Sequence, residues 1–257
     1  DYGRIEPLCE RYGVPLIIDA AEALGAVYCD HSVVAIESVK PEKKIRAADA
    51  GWAAVYSFNG NKIITTSGGG MVVSRDEGVV ARARKRSQQA REPTVWYEHK
   101  ELGYNYRMSN IVAAIGVGQL RHLKEIVAKK RQIFEWYRER LEGLAGLRFM
   151  PEAAYGWCTR WLTVALLRPL SGRNGECKNG PGERVMRVME ALERGNIESR
   201  PVWKPMHVQP VFRGAKVVGG GVGERLFANG LCLPSGTGLS VEEVERVCGI
   251  VEAVLKF

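Results

Sequence analysis

The stretch Ala53-Ala-Val-Tyr-Ser-Phe-Asn-Gly-Asn-Lys62 is the part of the sequence on which the fold depends most. Its apolar first half predicts a buried strand, and the Asn-Gly-Asn that follows predicts a turn. Lys62 comes directly after this turn and before Ile63-Ile64, so it lies between two apolar segments. Glycine lets a backbone approach a ligand closely, and a lysine amine shielded from water can form a Schiff base with a carbonyl compound. The stretch therefore predicts a strand and turn that present a reactive lysine.

The segment before this stretch carries a second candidate functional group. Val14 to Ile18 form a short apolar run, which leads into Asp19-Ala-Ala-Glu-Ala-Leu-Gly25. A carboxylate at the carboxyl end of a buried strand is where open α/β sheets place functional groups. The same aspartate would equally suit a cap of the next helix, so this segment alone leaves both interpretations open.

Together these residues supply the groups that pyridoxal 5'-phosphate (PLP) chemistry requires. A PLP enzyme needs a lysine for the Schiff base, an acidic residue beside the pyridine nitrogen, and hydroxyl or backbone donors for the phosphate. Lys62, Asp19 and Ser57 provide one candidate for each role. From the residues alone this is a hypothesis, because Asp and Lys near strand ends are common.

The rest of the chain alternates between helical and strand patterns, which favours an α/β protein. Helices are predicted over residues 4–12, 78–90, 183–194 and 240–255, and over 110–144 as one long helix or two consecutive ones. Further strands are predicted over 71–74, 147–150 and 161–167, and loops over 29–50, 92–103 and 169–182. Ser240 with Glu243 three residues later is a capping-box signature for the last helix.

The composition narrows the function classes. The 257 residues are 46% apolar and 26% charged, which excludes a disordered or collagen-like chain. A membrane-spanning helix would need a run of about 18 apolar residues, and the sequence shows no such run. A net charge of +8 permits anionic partners. The densest basic stretch, Arg82 to Arg86, contains no aromatic residue, which favours a solvated helix face over nucleic-acid binding.

The cysteines argue against a metal site. The six are Cys9, Cys29, Cys158, Cys177, Cys232 and Cys248. None forms a C-x-x-C pair or lies at a zinc-binding spacing from a histidine, so we expect no metal. Reduced thiols are typical of a cytoplasmic protein.

Five blocks of the sequence resemble, in order, the signatures of the DegT-type sugar aminotransferases. The blocks are Asp19–Gly25, Ser57–Lys62 with Gly68–Gly70, Gly103–Ser109 with Ala113–Gly116 and Gln119–Leu120, Arg200–His207, and Leu233–Gly236. Five blocks in the family's order are a specific signal, whereas one alone would be weak. Residues 96–97, 103–110 and 203–209 most resemble the branch that acts on nucleotide-linked 4-keto-6-deoxy sugars of the bacillosamine type.

The resemblance implies the α/β fold of the type I PLP-dependent transferases, which is the fold of aspartate aminotransferase. Residues 1–143 would form part of the PLP-binding large domain with its connecting helix, and residues 144–257 a small C-terminal α/β domain. In the family the chain begins earlier, with further strands and a helix N-terminus that binds the cofactor phosphate. We therefore expect the chain to enter its large domain partway through. Separately, residues 29–50 are longer and less patterned than the compact link expected between Asp19 and Ser57, so we expect them to form an unusually long link.

The resemblance also implies an activity and the residues that carry it. L-Glutamate would give its amino group to PLP, which would pass it to a nucleotide-linked keto sugar. Lys62 would form the Schiff base and move the proton, Asp19 would pair with the pyridinium nitrogen, and Ser57 would bind the phosphate. Glu22 would face the 3-hydroxyl side of the ring. Asn105 would reach the phosphate of a neighbouring subunit's cofactor, which implies a homodimer with shared active sites.

Five further residues match positions that contact the sugar nucleotide in the family. They are Tyr106, Arg107, Trp203, Lys204 and His207. Structural roles are equally open at several of these positions: Asn105 could cap a helix, Trp203 could belong to the core, and a lone histidine such as His207 is often structural.

Two other functions remain as alternatives. The first is a catalytically inert or partner-dependent fragment that lacks the N-terminal cofactor-binding part. The second is a basic nucleic-acid-binding module, which the five ordered blocks disfavour. A dehydratase relative would replace the lysine, so Lys62 itself favours transamination.

Overall fold

A computed structural model describes residues 1–29, 44–46, 49–169 and 180–256 of the chain. Most of the two predicted loops 29–50 and 169–182 therefore lies outside the described residues. By their internal contacts the residues divide into two compact units. Unit 1 comprises residues 1–128 and 152–161, and unit 2 comprises residues 129–151 and 162–257.

Helices and strands alternate along the chain, as the sequence predicts. The helices are α1 (Tyr2–Arg11), α2 (Glu77–Ser87), α3 (Asn110–Leu120), α4 (Leu123–Leu141), α5 (Glu183–Arg194), α6 (Val222–Asn229) and α7 (Val241–Leu255). The strands are β1 (Ile17–Asp19), β2 (Val27–Cys29), β3 (Lys44–Arg46), β4 (Ala53–Ser57), β5 (Gly70–Ser74), β6 (Leu147–Phe149), β7 (Gly156–Trp157), β8 (Thr163–Leu167), β9 (Arg200–Pro201) and β10 (Gly230–Leu233).

The main sheet of unit 1 has the strand order β1-β4-β5. β1 pairs with β4 in parallel, and β4 pairs with β5 in antiparallel fashion. Side chains alternate across a strand, so Ile18 is buried while Ile17 is 60% exposed on the opposite face. The buried face packs with Ala20, Ala50 and Ala54 into a small core. The other face of β1 carries Asp19 towards solvent.

A second sheet in unit 1 joins residues that are far apart in sequence. Its strand order is β3-β2-β7, with both pairs antiparallel. The ring of Tyr28 lies 5.9 Å from that of Tyr155, and its hydroxyl donates to Asp1 at 3.0 Å. This pairing brings residues 152–161 into unit 1.

Unit 2 is a four-stranded antiparallel sheet packed with helices. The strand order is β6-β8-β10-β9. The core combines apolar residues of β6, β8 and β10 with residues of α4, α5 and α7, and Tyr137 and Leu192 are among its fully buried members. A helix with one apolar face packed on a sheet is the usual way to bury that face.

Three expectations about the elements are refined by these bounds. The helical stretch 110–144 is two helices, α3 and α4, with a break at 121–122. The basic helix ends at Ser87 instead of residue 90, because Gln89 and Ala90 both have positive φ values. The strand predicted from residue 161 begins at Thr163, which leaves Trp161 outside the sheet.

The division into units also differs in detail from the predicted domains 1–143 and 144–257. Most of α4 packs with unit 2, because Ile133, Tyr137 and Leu141 lie in its core. The domain boundaries themselves stay a prediction.

α3 is unusual because it is apolar around its whole circumference yet contains no buried residue. Ile111 is 77% exposed, Val117 56% and Leu120 51%. A helix that is hydrophobic all round is normally buried. Separately, no helix in the described parts of the chain has the length and apolar character needed to cross a membrane.

Candidate active site

The parallel pair of β1 and β4 brings two predicted site residues to one edge of the sheet. Asp19 is the last residue of β1 and lies opposite Val55 of β4. The amide of Ala20 then donates to the Val55 carbonyl at 2.9 Å, and Ser57 ends β4 two residues further on. The carboxyl ends of neighbouring parallel strands are where α/β sheets bind ligands. The structure thus places Asp19 and Ser57 where the sequence expects a cofactor.

Lys62 lies at the same edge and is held by two side chains. Its Nζ donates to Glu22 Oε1 at 2.8 Å. Nζ also lies 4.7 Å from the centroid of the Trp161 ring. The amide of Lys62 donates to the Asn59 carbonyl at 3.1 Å, which closes the predicted turn. The lysine side chain is only 14% exposed, as expected for a shielded amine.

Asp19 and Ser57 keep capacity for a ligand. Asp19 Oδ1 accepts from the amide of Ala21 at 3.1 Å. Within the described ranges, no lysine, arginine or histidine forms an ion pair with this exposed carboxylate. Ser57 Oγ accepts from the amide of Asn59 at 3.3 Å, which uses an acceptor site of the hydroxyl and not its proton.

These groups fit PLP. PLP requires an amine for the Schiff base, an acidic group for the ring nitrogen and a donor for the phosphate. Among the described residues, the Asp19 carboxylate has no cationic partner and the Ser57 hydroxyl keeps its proton for a ligand. Lys62 would hold the aldehyde carbon, Asp19 the ring nitrogen and Ser57 the phosphate. Glu22 already lies beside the lysine.

Asn105, Tyr106 and Arg107 lie on a separate loop of unit 1. The amides of Tyr106 and Arg107 both donate to the Ser87 carbonyl, at 3.0 and 3.1 Å. Asn105 and Arg107 line one cleft of about 740 Å³, and Tyr106 and Arg107 line another of about 750 Å³. The hydrogen bonds of Lys62 in the described part of the chain go to Glu22 and Asn59 and not to this loop.

The loop is fastened to α2 by charged pairs. Lys85 Nζ donates to Glu92 at 2.9 Å, and Arg86 contacts Glu101 at 3.1 Å. The hydrogen bond to Glu92 raises the pKa of Lys85, and the same bond lowers the pKa of Glu92. The loop therefore has a defined shape beside α2 although most of its residues are exposed.

Trp203, Lys204 and His207 all belong to unit 2. Trp203 is 57% exposed, so it is not part of the core. The Lys204 carbonyl accepts from the Gln209 side chain at 3.4 Å. His207 Nε2 lies 2.9 Å from Glu224 Oε1 on α6, so the histidine has an internal partner. Their contacts with substrate stay predictions.

Trp161 is the site residue that the sequence analysis missed. It belongs to unit 1 and is 8% exposed. Its contact with the lysine joins positions about one hundred residues apart, and no local pattern signals such a contact. The sequence offered only its place at the start of a predicted strand.

Comparison with known proteins supports the resemblance. The pattern of the DegT/DnrJ/EryC1/StrS aminotransferase family matches residues 1–252. EpsN of Bacillus subtilis (strain 168), named as a candidate pyridoxal phosphate-dependent aminotransferase, is 46% identical over 253 residues, covering 96% of this chain and 58% of EpsN. GDP-perosamine synthase of Caulobacter vibrioides is 33% identical over 261 residues, covering 99% of this chain and 64% of the synthase.

A solved structure agrees in fold. The aminotransferase TlmJ from Streptoalloteichus hindustanus superimposes with a TM-score of 0.80 at 26% identity, covering 97% of this chain and 61% of TlmJ. The predicted fold of the type I PLP-dependent transferases is thereby confirmed. The chain spans about three fifths of the length of these relatives. It belongs to the DegT/DnrJ/EryC1/StrS aminotransferase family.

Proposed function

We propose that the protein is a PLP-dependent aminotransferase that acts on a nucleotide-linked sugar. The observation that carries this proposal is the placement of Lys62 between Glu22 and Trp161, at the sheet edge where β1 and β4 bring Asp19 and Ser57. The family supports the reaction class. The name of the Caulobacter relative, GDP-perosamine synthase, supports a nucleotide sugar as substrate.

PLP when bound supplies an aldehyde that condenses with amines and a ring that stores an electron pair. Lys62 Nζ would attack as a nucleophile and afterwards take and return a proton as general base and acid. The Asp19 carboxylate would accept a hydrogen bond from the ring nitrogen and so favour its protonated form. The Ser57 hydroxyl would donate to the phosphate.

The finer parts of the proposal concern the substrates. We assign L-glutamate as amino donor and a 4-keto-6-deoxy sugar, linked to a nucleotide, as acceptor. Tyr106, Arg107, Trp203, Lys204 and His207 would contact the sugar nucleotide. The side chains of Arg107 and Lys204 carry the positive charge that a diphosphate requires.

The proposal also includes a homodimer as the oligomeric state and the cytoplasm as the location of the protein. The exposed apolar surface of α3 supports a second copy of the chain as its cover. α3 begins five residues after Asn105, the residue expected to reach a neighbour's cofactor. The described cysteines, which are Cys9, Cys29, Cys158, Cys232 and Cys248, are all free thiols, as a reducing compartment would leave them.

The test is to incubate the protein with PLP, reduce it with borohydride, and map the modified peptide. We expect the label on Lys62, and its loss in Lys62→Ala. Lys100→Ala is the matched control, because Lys100 is a 71% exposed lysine outside the site, and this variant should keep the label. No label on Lys62 of the wild-type chain would contradict the proposal.

A second measurement separates the proposed activity from an inert or partner-dependent chain. With PLP bound and no borohydride added, glutamate should discharge the yellow absorbance of the protein, and a nucleotide-linked 4-keto sugar should restore it. A chain that takes up PLP but responds to neither substrate would support the inert alternative.

A further inference from the structure

Trp161 contacts two consecutive residues, Asn61 and Lys62, of the turn that runs from Asn59 to Lys62. Its indole Nε1 donates to the carbonyl oxygen of Asn61 at 2.6 Å. The face of the same ring lies 4.7 Å from Lys62 Nζ. A buried indole N–H normally finds a hydrogen-bond acceptor, and a lysine over a tryptophan face is attracted by the ring. One side chain therefore fixes both the backbone before the lysine and the end of the lysine side chain.

The backbone before Trp161 adopts an uncommon conformation. Arg160 has a φ of 52°, in the left-handed region that non-glycine residues rarely occupy. Thr159 and Arg160 are nonetheless buried, at 3% and 8% exposure. The amide of Cys158 donates to Glu152 Oε1 at 2.6 Å, which secures the start of this segment. Such a conformation persists only where its surroundings enforce it, and it often marks a functional site.

The two partners of the lysine differ in how firmly they are placed. The Glu22 side chain is 46% exposed, so water competes for its carboxylate. Trp161 is 8% exposed and its ring is fixed by the bond to Asn61. A lysine side chain has four rotatable bonds and loses much entropy when held in one position. The rigid ring is therefore the partner that can set where the amine lies.

We propose that Trp161 is a positioning residue for Lys62. It acts through its N–H, which holds the Asn61 carbonyl, and through its ring face, along which the amine lies. This inference rests on the proposed role of Lys62 as the nucleophile. It adds a residue from a distant part of the chain to the residues that prepare the lysine for reaction.

The first test needs no cofactor. Trace acetylation with acetic anhydride at a single pH measures the reactivity of Lys62 relative to exposed Lys100 in the same sample. Trp161→Leu removes both the ring and the N–H, and we expect the ratio to rise about fivefold, the factor that a typical cation–π contact represents. Trp161→Phe keeps a ring but frees the Asn61 carbonyl, and we expect a rise of about twofold.

The matched control is Trp52→Leu. Trp52 is also in unit 1, and its N–H donates to Asp76 at 3.1 Å. The ratio should be unchanged in this variant. A tryptophan that only fills space would alter thermal stability in Trp161→Leu and leave the Lys62 ratio at the wild-type value, which would overturn the proposal. Should Trp161→Leu fail to fold, Trp161→Phe decides alone: an unchanged ratio overturns the proposal and a rise of about twofold supports it.

The second test uses PLP and separates binding from reaction. With borohydride trapping, we expect Trp161→Leu to lower the labelling rate at saturating PLP about tenfold while the half-saturating PLP concentration changes less than about twofold. The reverse pattern would assign Trp161 to cofactor binding and contradict positioning. Failure of the wild-type chain to label would contradict the proposed function, and the acetylation ratios would still decide the role of Trp161.

Discussion

Lys130 is a buried lysine far in sequence from the candidate site. It is 8% exposed, and its Nζ donates to the Ser235 carbonyl at 2.7 Å. The Ser235 hydroxyl in turn accepts from the amide of Thr163 and donates to the Leu233 carbonyl, both at 2.8 Å. Burial lowers the pKa of Lys130. The lysine therefore joins α4 to the Leu233–Gly236 block through a hydrogen bond, and burial destabilises the positive charge of its ammonium group.

This geometry predicts a pH-dependent stability. Lys130→Met removes the donor to a buried carbonyl and should lower the free energy of unfolding at pH 7 by about 1–3 kcal/mol. The folded chain binds the Lys130 proton less tightly than the unfolded chain does. The contribution of Lys130 to stability therefore rises as the pH increases towards the lysine's ordinary pKa.

The expected result is that wild type and Lys130→Met differ more at pH 10 than at pH 7 in urea unfolding. Lys124→Met, an exposed lysine earlier in α4, corrects for the loss of one charge. A difference that stays constant or shrinks with pH would show that Lys130 is not the source.

At the scale of elements, α7 shows how a local sequence signature fixes the start of a helix. Ser240 Oγ accepts from the amide of Glu243 at 3.3 Å, and Glu243 accepts from the amide of Ser240 at 2.9 Å. Both bonds of the capping box are present. We expect Ser240→Ala to lower the free energy of unfolding by about 1 kcal/mol. Ser240→Asp should retain most of the stabilisation that the serine cap provides. Thermal unfolding would measure both, and equal melting temperatures for wild type and Ser240→Ala would disprove the role of the cap.

The elements that the sequence predicted well are those with local signals. α5 spans residues 183–194 as predicted, because its apolar residues repeat at helical spacing. β2, β3, β7, β9 and β10 were not predicted, and β3 falls within the stretch 29–50 that was predicted as a loop. Each has only two to four residues, which gives little alternation to detect. Their pairing depends on partners elsewhere, as when Val27 of β2 meets Trp157.

The site divides in the same way. Asp19, Ser57 and Lys62 could be predicted because each ends or follows an apolar run. Trp161 could not, because its contact with the lysine depends on how residues 152–161 return to unit 1. The contact of His207 Nε2 with Glu224 likewise depends on α6, a helix that the sequence analysis did not predict.

At the scale of the whole molecule, α3 makes the proposed homodimer testable. A lysine in the middle of an apolar interface is desolvated without a partner, so Ile111→Lys should weaken dimerisation at least about tenfold. Val211→Lys changes a residue of similar exposure, 82% against 77% for Ile111, and should have no effect. Sedimentation over a range of concentrations would measure both. A wild-type chain that stays monomeric at tens of micromolar, or a variant that dimerises like wild type, would refute this interface.

The ion pair between Lys62 and Glu22 has a consequence for how the amine becomes available. The lysine side chain is 14% exposed and the glutamate side chain 46%. A pair whose carboxylate is this open to water contributes at most about 1 kcal/mol, less than about twice the thermal energy RT. Ordinary fluctuations therefore suffice to separate the two groups, while the Trp161 ring stays beside the amine. The ion pair with Glu22 therefore does not by itself keep the amine from an aldehyde.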